Sequence, residues 1–119
     1  MKILIADDSL FVRQFIRKFL LELNPGLELT FAASGEEGYQ KFLNDHFDVI
    51  ITDLLMPGMG GEEFIKKVRL ADRDIKVIVV SADIQKSVKD EILGLGVSAF
   101  LNKPIKRENI QEIYEFIGR

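Results

Sequence analysis

The sequence predicts a doubly wound α/β domain in which five short strands alternate with five helices and line up as a parallel sheet. Three observations carry that prediction. Val49, Ile50, Ile51 and Thr52 form an unbroken β-branched run, the composition of a strand covered on both faces. Comparable short apolar runs recur along the chain, each followed by a stretch whose apolar residues return at helical spacing. No long linker, low-complexity segment or internal repeat interrupts the alternation.

Ile3 to Ala6 reads as the first strand. It ends at Asp7-Asp8, and Ser9 can cap a helix whose Val12, Phe15, Ile16, Phe19, Leu20 and Leu23 share one face. Asn24-Pro25-Gly26 breaks that helix, and Leu27 to Ala33 forms the second strand. Ser34 with Glu37 three residues on matches a capping box, which opens a helix through Tyr39, Phe42 and Leu43 toward Asn44. Phe47 to Thr52 is the third strand, stopping at the single carboxylate of Asp53. Met56 to Gly61, MPGMGG, is a shaped loop because proline fixes φ while glycine permits conformations closed to other residues. A third helix runs from about Glu62 through Leu70, and Lys76 to Val80 is the fourth strand, ending at Ser81-Ala82-Asp83. Val88, Ile92 and Leu95 mark a fourth helix closed by Gly94 and Gly96. Ser98 to Leu101 is the fifth strand. Asn102-Lys103-Pro104 then turns the chain into a last helix with Ile110, Ile113, Tyr114 and Ile117 on one side. Such an order suits a flavodoxin-like (βα)5 sheet with strand order 2-1-3-4-5.

With 119 residues, 47% hydrophobic and 29% charged, the chain has the length and composition of one soluble globular domain, expected to span residues 1–119. Its formal charge of −3 disfavours nucleic acid or an anionic membrane as a direct partner. The lack of cysteine and the single histidine, His46, rule out disulfides, thiolate zinc sites, cysteine nucleophiles and any site needing two histidines. Any metal must therefore be held mainly by oxygen. No window approaches the roughly eighteen apolar residues of a membrane span, and no signal-peptide pattern opens the chain, so the expected compartment is the cytoplasm.

On this frame Asp7 and Asp8 end the first strand, Asp53 the third, Ser81 the fourth and Lys103 the fifth, so all reach the edge where open parallel sheets bind ligands. Singly, each has a plain structural explanation: a carboxylate near a helix N-terminus, a serine cap, a lysine in a turn. Jointly they make a site. Three neighbouring carboxylates repel and call for a cation, and hard oxygen ligands favour Mg²⁺. A phosphoryl group would complete its shell, with Lys103 supplying positive charge, Ser81 a hydroxyl donor and Asp53, in the middle, the nucleophile.

Those residues bring the chain to a known family. Ile5-Ala6-Asp7-Asp8-Ser9, Thr52-Asp53-Leu54-Leu55-Met56-Pro57-Gly58-Met59-Gly60-Gly61, Ser81-Ala82 and Phe100-Leu101-Asn102-Lys103-Pro104 resemble, over the whole chain, the response-regulator receiver domains of two-component signalling, of the CheY-like type. The resemblance implies that Asp53 accepts a phosphoryl group from the phosphohistidine of a sensor histidine kinase, forming an aspartyl phosphate. It also implies Mg²⁺ bound by Asp8, Asp53 and the Leu55 backbone carbonyl, with Asp7 helping through water. Ser81 and Lys103 would contact the phosphoryl group, Phe100 would stand at the aromatic switch position together with Ser81, and the Lys103–Pro104 bond would be cis, an isomer open to X-Pro bonds at modest cost.

Three positions depart from the family's commoner residues. Phe100 lacks the hydroxyl of the frequent tyrosine, Leu55 is apolar where polar side chains are frequent, and Asp83 adds a negative charge near the site; Leu55 and Asp83 are the candidates for tuning the phosphoryl lifetime. Since the chain ends at Arg119 with no room for an attached DNA-binding or enzymatic domain, the expected output is a protein contact, on the face made by the fourth helix, fifth strand and fifth helix. The expected function is thus a stand-alone switch that promotes its own phosphorylation and dephosphorylation, and not an enzyme acting on a separate substrate. Three rivals stand beside it. An aspartyl-phosphate phosphatase of the haloacid-dehalogenase type needs a second aspartate where Leu55 stands; a flavodoxin-like cofactor binder needs phosphate-cradling residues where Asp7-Asp8 stand; a phosphorylation-independent pseudo-receiver would not need the full acidic set.

Overall fold

The first strand, β1 (Lys2–Ala6), is apolar from Ile3 onward and buried, as a strand with neighbours on both sides and helices on both faces must be. In this computed structural model, which describes residues 1–82 and 85–118, it is followed in strict alternation by α1 (Leu10–Leu23), β2 (Glu28–Ala32), α2 (Gly35–Asn44), β3 (Val49–Thr52), α3 (Gly61–Ala71), β4 (Lys76–Ser81), α4 (Lys86–Leu93), β5 (Ala99–Asn102) and α5 (Arg107–Ile117). All strand pairs are parallel and the sheet order is β2-β1-β3-β4-β5, the flavodoxin-like order that the alternation predicts.

Side-chain alternation along each strand splits the core in two. Ile3, Ile5, Val49, Ile51, Ile78 and Val80 point to the layer of α1 and α5, where Ile16, Leu20, Ile110, Ile113 and Ile117 meet them. Leu4, Ile50, Val77 and Val79 point the other way, onto Phe64, Ile65 and Val68 of α3 and Ile92 of α4. Burying each such side chain stabilises by about 1.5–3 kcal/mol, enough in sum to hold the strand ends rigidly under the loops.

Helix starts follow their caps. The Ser9 hydroxyl accepts the Val12 N–H at 3.3 Å, and the Ser34 hydroxyl accepts the Glu37 N–H at 3.2 Å. The Glu37 carboxylate reaches back to the N–H of Ala33 at 2.6 Å, one residue before the partner that a capping box uses.

Several boundaries differ from the sequence expectation: β4 runs one residue further, to Ser81, β5 is shifted by one to Ala99–Asn102, and β2, β3 and α4 differ for identifiable reasons. β2 spans Glu28–Ala32 and not Leu27 to Ala33, because the Leu27 N–H closes the turn onto the Asn24 carbonyl (3.2 Å) and Ala33 gives its N–H to Glu37. β3 starts at Val49 rather than Phe47: Phe47 is buried, but Asp48 docks on the start of β1, its N–H on the Lys2 carbonyl and its carboxylate on the Lys2 N–H, both at 2.8 Å. α4 ends at Leu93, before Leu95, because Gly94 and the left-handed Gly96 (φ 75°) turn the backbone out. The Arg69 guanidinium takes the carbonyls left over there and nearby, donating to Leu95 (2.7 Å), Gly96 (3.1 Å) and Ile75 (2.8 Å).

Candidate functional site

Strand register brings the polar residues together. Ala6 pairs with Ala32 on one side and Thr52 on the other, so Asp7 and Asp53 leave the sheet side by side. The last main-chain bonds of the ladder hold them there: the Asp7 N–H donates to the Ala32 carbonyl at 3.0 Å and the Asp53 N–H to the Ala6 carbonyl at 2.9 Å. Thr52 pairs with Val79, and Ser81, two residues on, pairs with Asn102, whose successor Lys103 donates its N–H to the Ser81 carbonyl at 2.9 Å.

Asp53 is 5% exposed and each carboxylate oxygen has its own donors. Oδ1 accepts the Ser81 hydroxyl at 2.6 Å and the Leu55 N–H at 3.1 Å; Oδ2 accepts the Lys103 ammonium at 2.7 Å. Lys103 also reaches Asp7 Oδ2 at 2.8 Å, while Asp7 Oδ1 accepts the Ser9 N–H at 2.9 Å. The Thr52 hydroxyl, fully buried, donates to the Asp53 carbonyl at 2.8 Å. Asp8 is exposed and makes no ion pair among the described residues.

Burial pushes the Asp7 carboxyl above its ordinary pKa, against the opposing pull of Lys103 and the Ser9 N–H. For Lys103, burial works to lower the pKa, but the hydrogen bonds from its ammonium to Asp53 and Asp7 outweigh it, so the ammonium is held charged above the ordinary lysine value. The Ser81 hydroxyl thus rests directly on the Asp53 carboxylate.

Asp7, Asp8 and Asp53 each present an oxygen within 4.8 Å of the other two. The donor set is hard and anionic, and three carboxylates less one lysine leave a formal charge of −2, which one divalent cation balances. These residues suit Mg²⁺. Asp8 and the loop residues Leu55, Met56 and Gly58 line a shallow opening of about 480 Å³ beside Asp53. The Leu55 side chain, 69% exposed, stands at its rim.

Phe100 is half-buried on the α4 side of β5, with the Lys89 ammonium 5.7 Å from its ring centre. Tyr114 lies on the opposite face of the sheet, its hydroxyl accepting from the Asn24 amide at 3.3 Å. The Lys103–Pro104 peptide is cis. Asp83 lies outside the described residues.

Glycines at 35, 58 and 61 matter more than composition suggests. A Cβ on Gly61 would sit 1.9 Å from the Asp53 carbonyl oxygen, so the end of β3 and α3 approach as closely as they do only because no side chain intervenes. Gly61 reads in sequence as the end of a loop; it is the first residue of α3. Glu36 belongs to none of the quoted motifs, and only the fold shows what it and Thr52 touch.

A metal site of this kind predicts a thermal effect. Mg²⁺ at about 100 times its dissociation constant should stabilise the native state by about 2.7 kcal/mol, raising the melting midpoint, and Asp8→Ala should erase the rise. Because the folded-state pKa of Asp7 lies above its unfolded value, the metal-free protein gains stability as pH falls through that folded value, where the native state binds the extra proton. The same proton competes with the cation, so the Mg²⁺-induced rise should shrink over that acidic window. An unchanged midpoint at saturating Mg²⁺ near neutral pH would count against the site.

The response regulator receiver domain model matches residues 3–115. The chain is 30% identical to the chemotaxis protein CheY of Thermotoga maritima over 119 residues, 99% of this chain and 98% of that protein. It is 36% identical to the protein-glutamate methylesterase/protein-glutamine glutaminase of Bacillus licheniformis over 87% of this chain, spanning 29% of that longer protein. In structure it is similar to the chemotaxis response regulator CheY4 of Vibrio cholerae, with a TM-score of 0.87 at 31% identity, covering 98% of this chain and 97% of that one. With this fold, this edge of the sheet and these whole-chain likenesses in agreement, the chain belongs to the response regulator receiver domain family of two-component signalling.

Proposed function

We propose that this receiver domain is a phosphorylation-dependent switch that takes a phosphoryl group from the phosphohistidine of a sensor histidine kinase onto Asp53 and thereby changes its affinity for a protein partner. The observation that supports it most is the surroundings of Asp53: a buried carboxylate held by Ser81, Lys103 and the Leu55 N–H, all of them groups that favour negative charge. In the transfer, an Asp53 oxygen forms the new O–P bond, the donor's P–N bond breaks and the histidine nitrogen keeps the electron pair. Lys103 and Ser81 follow the charge outward from the carboxylate to the phosphoryl oxygens. Asp8, Asp53 and the Leu55 carbonyl, with Asp7 assisting, would hold Mg²⁺, which would supply the remaining positive charge.

The protein promotes its own phosphorylation and dephosphorylation and turns over no separate substrate. Leu55, exposed at the rim, is placed to shield the aspartyl phosphate from an attacking water and so to lengthen its lifetime. Among the described residues no helix is long and apolar enough to cross a membrane.

The readout is the face formed by α4, β5 and α5. Ser81 ends β4, its neighbour in register is Asn102 of β5, and Phe100 lies two residues before that, so a shift of the hydroxyl toward a phosphoryl oxygen bears on Phe100 packing. Beryllofluoride, a phosphoryl mimic, should move amide resonances not only around Asp53 but out to Phe100 and across the sheet to Tyr114. Changes confined to the loops around Asp53 would overturn this route.

A further inference from the structure

The loop from Asp53 to Gly60 carries the Leu55 carbonyl; Leu55, Pro57 and Gly58 are exposed, while Leu54, Met56 and Met59 pack half-buried against the α3 and α4 core layer. The polar restraint on its backbone comes from the start of α2. The Gly35 N–H donates to the Met59 carbonyl at 3.0 Å, and the Met59 N–H donates to the Glu36 carboxylate, so both backbone groups of Met59 are taken by adjacent residues of one helix. The fit leaves no slack: a Cβ on Gly35 would lie 2.4 Å from the Met59 carbonyl oxygen, and one on Gly58, at φ +72°, would lie 2.6 Å from Glu36 Oε2. The far side of the loop is tied separately, by the Gly61 N–H on the Leu54 carbonyl at 3.0 Å. Among the described residues no cation pairs with Glu36, so that carboxylate has no competing structural partner.

We propose that Glu36 is a positioning residue of the metal site: by holding the Met59 N–H it fixes the loop so that the Leu55 carbonyl faces the same opening as Asp8 and Asp53. This rests on the Mg²⁺ reading given above. A first-turn glutamate usually serves its own helix through the N-terminal dipole; this one spends its carboxylate on a backbone amide 23 residues away. Groups that orient metal ligands without touching the metal commonly govern affinity by about 10–100-fold.

The full chain tests it with two variants and two readouts. Glu36→Ala is expected to weaken Mg²⁺ binding, followed by amide shifts in a titration with MgCl₂, by about tenfold, and to speed hydrogen exchange at the Met59 amide in the metal-free protein. Glu36→Gln keeps an oxygen acceptor but not the charge, and should stay close to wild type in both. Gly58→Ala retains the charge and crowds the carboxylate, and should loosen the Met59 amide as Glu36→Ala does. Unchanged Mg²⁺ affinity in Glu36→Ala would overturn the proposal, as would Glu36→Gln falling as far as Glu36→Ala, since Glu36 would then act only through its charge. Failure of the wild type to bind Mg²⁺ would instead overturn the metal reading, leaving metal-free exchange at Met59 as the separate measure of the latch.

Discussion

Asp53→Asn should reduce Mg²⁺-dependent phosphorylation by acetyl phosphate from near-stoichiometric to background, read as the loss of the one-phosphoryl mass increase in intact protein. The substitution keeps the volume, and the amide oxygen can still accept from Ser81 and Leu55. What disappears is the anionic nucleophile, and the amide NH₂ would face the Lys103 ammonium, donor against donor, where Oδ2 now accepts at 2.7 Å. Neither neighbouring acid can substitute. Asp7 is 2% exposed with both oxygens committed, one to Lys103 and one to the Ser9 N–H, and Asp8 is exposed with no hydrogen bond from Ser81 or Lys103. Retained stoichiometric labelling of Asp53→Asn would refute the acceptor assignment.

Gly61→Ala should be among the most damaging single-methyl changes in the chain. The new Cβ would meet the Asp53 carbonyl oxygen at 1.9 Å and the Leu54 Cα at 2.9 Å, and both are backbone atoms that cannot rotate aside. Overpacking of this kind costs about 1–3 kcal/mol and more when backbone must move, against a total stability of about 5–15 kcal/mol. The expected loss is about 3 kcal/mol, seen as a lower urea midpoint with an unchanged slope. The displaced backbone is that of the acceptor, so Asp53 would be drawn away from Ser81 and Lys103 and phosphorylation should slow as well. Gly118→Ala is the matched control, since its nearest contact would be 3.7 Å and its φ of −79° suits alanine; it should stay within about 0.5 kcal/mol of wild type. Equal midpoints for the two variants would show that the close approach at Gly61 is not needed.

The clustering of the polar residues was legible because of where each falls in the alternation. Asp7, Asp8, Asp53, Ser81 and Lys103 each end or follow an apolar run, and in a parallel sheet all such positions share one edge. Helix starts at Ser9 and Ser34 were legible too, since a cap depends on residues three apart in one segment. A boundary set by contact between segments was not: the start of β3 depends on Asp48 meeting Lys2.

What the sequence by itself determined, then, was the kind of fold, the edge on which the site lies and the residue types gathered there, because hydrophobic period and strand-end position are local properties of the chain. Only the tertiary structure decided which atom meets which: that Lys103 bridges Asp7 and Asp53, that the Ser81 hydroxyl already sits on the acceptor, that Glu36 holds the Met59 amide and that Gly61 admits the Asp53 backbone. The physical reason is range. Periodicity and capping act within a few residues, whereas hydrogen bonds and steric contact act within a few ångströms between segments whose distance apart is set by strand register and the packing of helices over the sheet.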